Sequence, residues 1–239
     1  MTPTPSRNHR HRRALLVGML ALTTAASLAL QLVRQSLTGE GRFWMIGWDL
    51  FLAWVPLAAA VILEWRHRHP TTRNWIVLTC LAILWLLFFP NAPYLVTEFV
   101  HLKPYGRAPD AVWWCDLVVI LLIAWNGVLL GFASLYLVQQ VIRCCIGAIG
   151  AWFAAGACIA LASLGISIGR FERLNSWDAL VHPAKIADCL RKFTDAHVFA
   201  HNVGVAVLLS GMLLLQYVTL AALIGAVPGN SSALLDKLQ

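Results

Sequence analysis

Glu98 and His101 stand three residues apart in the run Phe89-Pro90-Asn91-Ala92-Pro93-Tyr94-Leu95-Val96-Thr97-Glu98-Phe99-Val100-His101. On a helix this spacing projects a carboxylate and an imidazole together, as in the carboxylate-bridged metal sites of helical bundles. His197 and His201 stand four apart, a spacing that lets two imidazoles reach one ion. These four side chains form a candidate metal set, and a divalent metal is the cofactor they would hold. Plainer roles compete. Glu98 and His101 also suit the wet side of an interfacial amphipathic helix, and His201 a core histidine bonded to a neighbouring helix. Asp116, which follows Trp113-Trp114-Cys115, is a candidate general base, with Glu98 and Asp178 as further catalytic carboxylates. A structural ion pair, such as Asp116 with Arg170, is the alternative. Asn91, Tyr94, Arg170, Arg173, Asn175 and Trp177 are candidate substrate contacts, the arginines because a guanidinium fork holds anionic head groups.

The elements that carry these groups must cross a bilayer. Hydrophobic residues make up 59% of the 239 positions and charged residues 12%, about half the charge of a soluble domain. The chain cannot supply a water-facing surface, so the class expected is an all-α bundle with about six spans. They are expected at 14–33, 43–63 (interrupted by Asp49 and Pro56), 75–89, 112–138, 146–168 and 198–223. A basic tail (1–13) precedes one transmembrane domain (14–224), and a short tail (225–239) follows. The net charge of +7 comes from basic residues in short loops rather than a basic face with interleaved aromatics, so nucleic acid is excluded as a partner and the lipid bilayer is the partner expected. The six cysteines include no C-x-x-C and imply no disulfide framework.

Topology follows from Lys and Arg. The 18 basic residues divide evenly between the two sides, so the first span decides. Arg7, Arg10, Arg12 and Arg13 precede it, which places both termini in the cytoplasm of a multi-pass protein in the cytoplasmic, or cell inner, membrane. The run 14–33 is long enough to span, and it reads as an uncleaved helix rather than a signal peptide cut near Ser27-Leu28-Ala29.

Local signals refine the picture. Pro90 and Pro93 stop the third span and leave backbone groups unpaired, which lipid tolerates only inside protein or beside a cavity; a simple exit turn is the alternative. Asn91 is expected to cap a new short helix, with Tyr94, Thr97, Glu98 and His101 on one polar stripe. Gly127 and Gly131 form a G-x-x-x-G, as do Gly165 and Gly169, devices for close helix packing. Asn175 or Ser176 is expected to cap a short helix, and His182-Pro183 to open another. The latter has Ile186, Leu190 and Phe193 opposite Lys185, Arg191 and Lys192, and would lie flat on the membrane. Span alternation then puts five segments on one membrane face: Asp49, 90–101, Asp116, 170–178, and His197 with His201.

Two stretches, Phe89 to Leu102 and Gly169-Arg170-Phe171-Glu172-Arg173-Leu174-Asn175-Ser176-Trp177-Asp178, resemble a prokaryotic membrane-protein family, the domain of unknown function 1361. The shared cores are Pro-Asn-Ala-Pro-Tyr and Gly-Arg-Phe…Asn-Ser-Trp-Asp. The family pattern has Asp where Glu98 stands, followed by His at the position of His101. The resemblance covers most of the chain from the second span onward and implies a multi-span membrane protein without assigning an activity.

Three functions fit the pattern. A membrane-embedded, metal-assisted hydrolase or transferase would act at the outer face on a lipid-linked or envelope substrate. A transporter or ion-conducting protein would need polar residues continuing to the inner face, where Asn126, Ser134 and Gln216 are the exceptions to an apolar lining. An accessory subunit would use the cluster for structure or docking.

Overall fold

A computed structural model describes residues 7–39, 44–69, 74–102, 111–172, 181–193 and 195–226. Its helices are α1 (Arg7–Thr38), α2 (Trp44–Arg68), α3 (Trp75–Phe88), α4 (Asn91–Tyr94), a 3-10 helix (Leu95–His101), α5 (Ala111–Glu172), α6 (Pro183–Lys192) and α7 (Ala196–Ala226). No strand occurs among the described residues. Five described stretches are long and apolar enough to cross a membrane: Ala14–Leu37, Met45–Arg68, Trp75–His101, Ala111–Phe171 and Ala196–Ile224. The fourth is 61 residues long, about 90 Å at 1.5 Å per residue, some three times the hydrocarbon thickness. It is interrupted at Gly147, whose φ of 80° and ψ of 178° are non-helical. The positive φ suits a residue with no Cβ. The two parts on either side are each long enough for a span, which gives the expected six. Residues 139–145, between the expected fourth and fifth spans, are helical instead, and the interruption falls at Gly147. Likewise α2 runs unbroken through Asp49 and Pro56.

The chain divides into two compact units, Met1–Val141 and Ile142–Gln239. In the first, α1 is built inside out. Leu20, Ser27, Gln31 and Arg34 are buried, with Thr23 and Thr24 half-buried on the same stripe, while Leu15, Leu22, Leu32 and Val33 are exposed. Apolar side chains lose nothing by facing lipid, so the polar ones turn inward to find partners. The Thr24 hydroxyl accepts from Asn126 Nδ2 (2.7 Å) and from Trp54 Nε1 (3.1 Å), and donates to the Leu20 carbonyl (2.8 Å). Thr23 Oγ1 lies 2.9 Å from Asn126 Oδ1, to which it donates. One buried asparagine thus ties α1 to α5, and the shared threonine adds α2.

The third span meets α5 through missing side chains. A Cβ placed on Gly127 would overlap the Ala92 carbonyl oxygen and lie 2.9 Å from Leu95 Cβ. One on Gly131 would lie 3.4 Å from both Ala92 Cβ and Pro93 Cδ. The G-x-x-x-G is therefore a notch that receives the broken segment inside the chain, and α2 packs along α3 and α4 beside it. One turn away, Trp85 Nε1 donates to Ser134 Oγ (3.2 Å), which donates onward to the Gly131 carbonyl (2.8 Å).

In the second unit, α5 and α7 run antiparallel. Ser167 donates to Asn202 Oδ1 (2.8 Å) at one end, and the Trp152 and Tyr217 rings meet edge to face at the other. Asp195 Oδ1 caps α7 by accepting from the His197 and Val198 amides (2.8 and 3.3 Å). As expected, Pro183 opens α6, with His182 at its cap.

Gly127→Ala should lower stability by about 1–3 kcal/mol, as overpacking does, because the obstructing atom is backbone. Gly204→Ala and Gly211→Ala, where nothing lies within 4 Å of the added carbon, should be neutral or slightly stabilising. Apparent melting temperatures in one detergent compare the three.

Candidate functional site

The contacts of unit 1 order its helices end to end. Thr24 meets Trp54 and Leu28 lies beside Gly47, while Thr23 meets Asn126 and Arg34 meets Asp116, so α1 runs antiparallel to α2 and to the first part of α5. Trp85 with Ser134, and Ala92 beside Gly127, set α3 antiparallel to α5. One end of the unit therefore holds Arg34, Asp49, Glu98, His101 and Asp116.

Arg34 and Asp116 form the pair that dominates this end. Arg34 Nε donates to Asp116 Oδ1 at 2.7 Å and Nη2 to Oδ2 at 3.3 Å, and the two side chains are only 3% and 8% exposed. A forked guanidinium matched to both carboxylate oxygens is the geometry in which a buried ion pair recovers most of its desolvation cost. The partner expected from the sequence, Arg170, belongs to unit 2. The signal in the sequence for Arg34 is its place one turn before the end of α1, which antiparallel pairing puts level with Asp116.

Glu98 and His101 come together as their spacing foretold, but on a different helix. From Leu95 the chain winds as a 3-10 helix, shown by Leu102 N–H bonding to the Phe99 carbonyl (3.0 Å). With three residues per turn, Leu95, Glu98 and His101 form one row, and Tyr94 and Thr97 belong to the next. The single stripe expected from α-helical spacing is thus split. Thr97 Oγ1 turns back to donate to the Tyr94 carbonyl (2.8 Å). Glu98 follows Leu95 into the interior, with both buried. His101 Nε2 lies 3.6 Å from Glu98 Oε2, and its side chain is 49% exposed. Asn91, expected as a cap, is instead the first residue of α4. Pro90 holds the cap position and makes no side-chain bond. Asn91 and Tyr94 are both half-buried, and Asp49 is half-buried on α2.

At the α5–α7 end of unit 2, Arg170 is half-buried, and the exposed His201 ring meets Phe171 edge to face at a centroid distance of 4.5 Å. His197 is exposed one turn before it. The four expected metal ligands divide two and two between the units, and among the described residues no three His, Cys, Asp or Glu side chains gather in a metal-holding group. Arg173, Asn175, Trp177 and Asp178 lie outside the described residues, as does the helix expected to start at Asn175 or Ser176. Sequence reasoning also passed over Glu64, buried on α2 and bonded to Arg68 at 2.7 Å, although its i,i+4 spacing is a legible signal.

These helices define a polytopic α-helical membrane protein. The chain belongs to the family described as protein of unknown function (DUF1361), whose model matches residues 48–217. The match contains Glu98, His101, Asp116, Arg170, His197 and His201, and begins after α1, so Arg34 and the two threonines lie outside it. No curated protein and no solved structure matches the chain.

A double-mutant cycle tests the ion pair. Arg34→Met or Asp116→Leu alone should cost about 3–5 kcal/mol, because each strands a buried charge, and the double variant should recover much of that loss. Denaturation midpoints of the four proteins in one detergent give the coupling.

Proposed function

We propose that the chain is a membrane-embedded hydrolase or transferase that works by acid–base chemistry on a lipid-linked or envelope substrate, with His101 meeting the substrate and Glu98 behind it. The observation that carries this reading is the contrast within the pair: a buried carboxylate 3.6 Å from a half-exposed imidazole. That separation is longer than a formed hydrogen bond, and catalytic contacts of this kind tighten when substrate orders the site. A Glu98 carboxylate that engages Nε2–H leaves Nδ1 as the basic atom. His101 then takes a proton from an attacking water or hydroxyl and returns it to the leaving group. Asp116 is less suited to the base role expected of it, since both its oxygens already accept from Arg34.

The exposed surroundings favour a substrate resident in the bilayer. Trp48, Phe51, Val100 and Trp114 are exposed at this end of unit 1, and tryptophans collect where membrane meets water. Deeper in unit 1 the buried polar groups are tied into the fold, Glu64 to Arg68 among them. Asn126 and Ser134, which a conduction path could have used, are occupied by Thr23, Thr24 and Trp85. The arginines of the N-terminal flank favour a site on the outer side of a cytoplasmic membrane, with both termini inside.

Purified protein in nanodiscs, offered phospholipids and polyprenyl-phosphate-linked sugars with products read by mass spectrometry, tests the reading. Turnover of one lipid class is expected, falling about 100-fold or more in His101→Ala and clearly in Glu98→Gln. Rates in those variants equal to wild type, or no turnover of any lipid offered, contradict it. Metal analysis of the same preparations decides the cofactor: a stoichiometric metal lost in Glu98→Ala would make the pair ligands rather than an acid–base couple.

A further inference from the structure

Helix α6 (Pro183–Lys192) carries its charges on one arc. At 100° per residue, Lys185, Asp188, Arg191 and Lys192 fall within about a third of the circumference, and Ile186, Cys189 and Phe193 on the other side. Lys185, Arg191 and Lys192 are exposed, Cys189 is buried, and Ile186 and Phe193 are half-buried. The apolar side is thus largely covered while the cationic side is not. Within the helix itself the one carboxylate is Asp188, exposed and 3.5 Å from Arg191. The helix also has a fixed depth. The Phe193 ring meets that of Phe199 at 6.3 Å, edge to face, and Phe199 lies in the first turn of α7, a membrane-crossing helix capped by Asp195. A cationic arc held at the mouth of a span stands at head-group level.

We propose that α6 is a docking surface for anionic phospholipid, its Lys185, Arg191 and Lys192 engaging phosphate-bearing head groups at the membrane surface. The inference concerns unit 2 and goes beyond the acid–base reading of unit 1. Long basic side chains extend to the interface while their stems cover apolar surface. Each adds about fivefold to the affinity for an anionic leaflet. The occupant is lipid rather than nucleic acid because the arc is one helix wide and lies beside the end of a span.

Native mass spectrometry of the full chain, equilibrated with equal amounts of phosphatidylglycerol and phosphatidylcholine of matched acyl chains, reads the preference. At least about fivefold more phosphatidylglycerol should be retained, falling to near parity in Lys185→Gln/Arg191→Gln/Lys192→Gln. Should that variant fail to fold, salt provides the same test on the unaltered protein: the preference should shrink between about 50 and 500 mM, as the screening length shortens. Parity in the wild type, a preference the variant retains, or one that salt leaves unchanged would overturn the proposal. So would equal retention of a short DNA duplex, which would make the arc a general polyanion surface.

Discussion

The absence of a side chain at Gly127 governs unit 1. Lipid supplies no hydrophobic force between helices, so association depends on how closely surfaces can approach. Here the approach is at its limit, with the Ala92 carbonyl against the Gly127 backbone and Leu95 alongside. The break at Pro90 and Pro93 makes this contact possible, because it brings backbone rather than a ridge of side chains to the notch. Once Ala92 and Leu95 are fixed, the 3-10 row carries Glu98 inward and leaves His101 at the surface. The contrast between those two residues is therefore a consequence of packing two turns away.

The second constraint is that every polar group in the bilayer needs a partner. The first helix meets it by turning its threonines and Arg34 toward the protein. Because α1 lies outside the residues the family model matches, the match does not by itself contain the partners of Asp116, Asn126 and Trp54. Arg34 neutralises Asp116 locally, so that ion pair adds no net charge to the surroundings of Glu98 and His101.

Much of this was legible in the sequence because membranes impose coarse rules. Composition and run length gave the spans, the two prolines gave the break, and the G-x-x-x-G marked a close contact. His182-Pro183 marked the start of α6. What escaped was whatever depended on the winding between marks. A helical stripe through Tyr94, Thr97, Glu98 and His101 presumes 3.6 residues per turn, and the 3-10 winding separates it into rows. The partner of Asp116 escaped for a different reason. Arg34 and Asp116 stand 82 residues apart, and only the registry set by Thr23 and Asn126 brings them level. The gap between the expected fourth and fifth spans is helical, because the backbone continues to Gly147, a glycine that adopts a positive φ at little cost.

The place of Glu98 depends on the register of the broken span against α5, which fixes how far along α5 the 3-10 row lies. A disulfide trap measures it. A Cβ at Gly131 would lie 3.4 Å from Ala92 Cβ, close to the spacing of about 3.5–4.5 Å that a disulfide needs. Under mild oxidation, Gly131→Cys with Ala92→Cys should cross-link efficiently, as mapped by peptide mass spectrometry. Gly131→Cys with Leu95→Cys, about one turn out of register, should not. Cross-linking of the second pair in preference to the first would contradict the account.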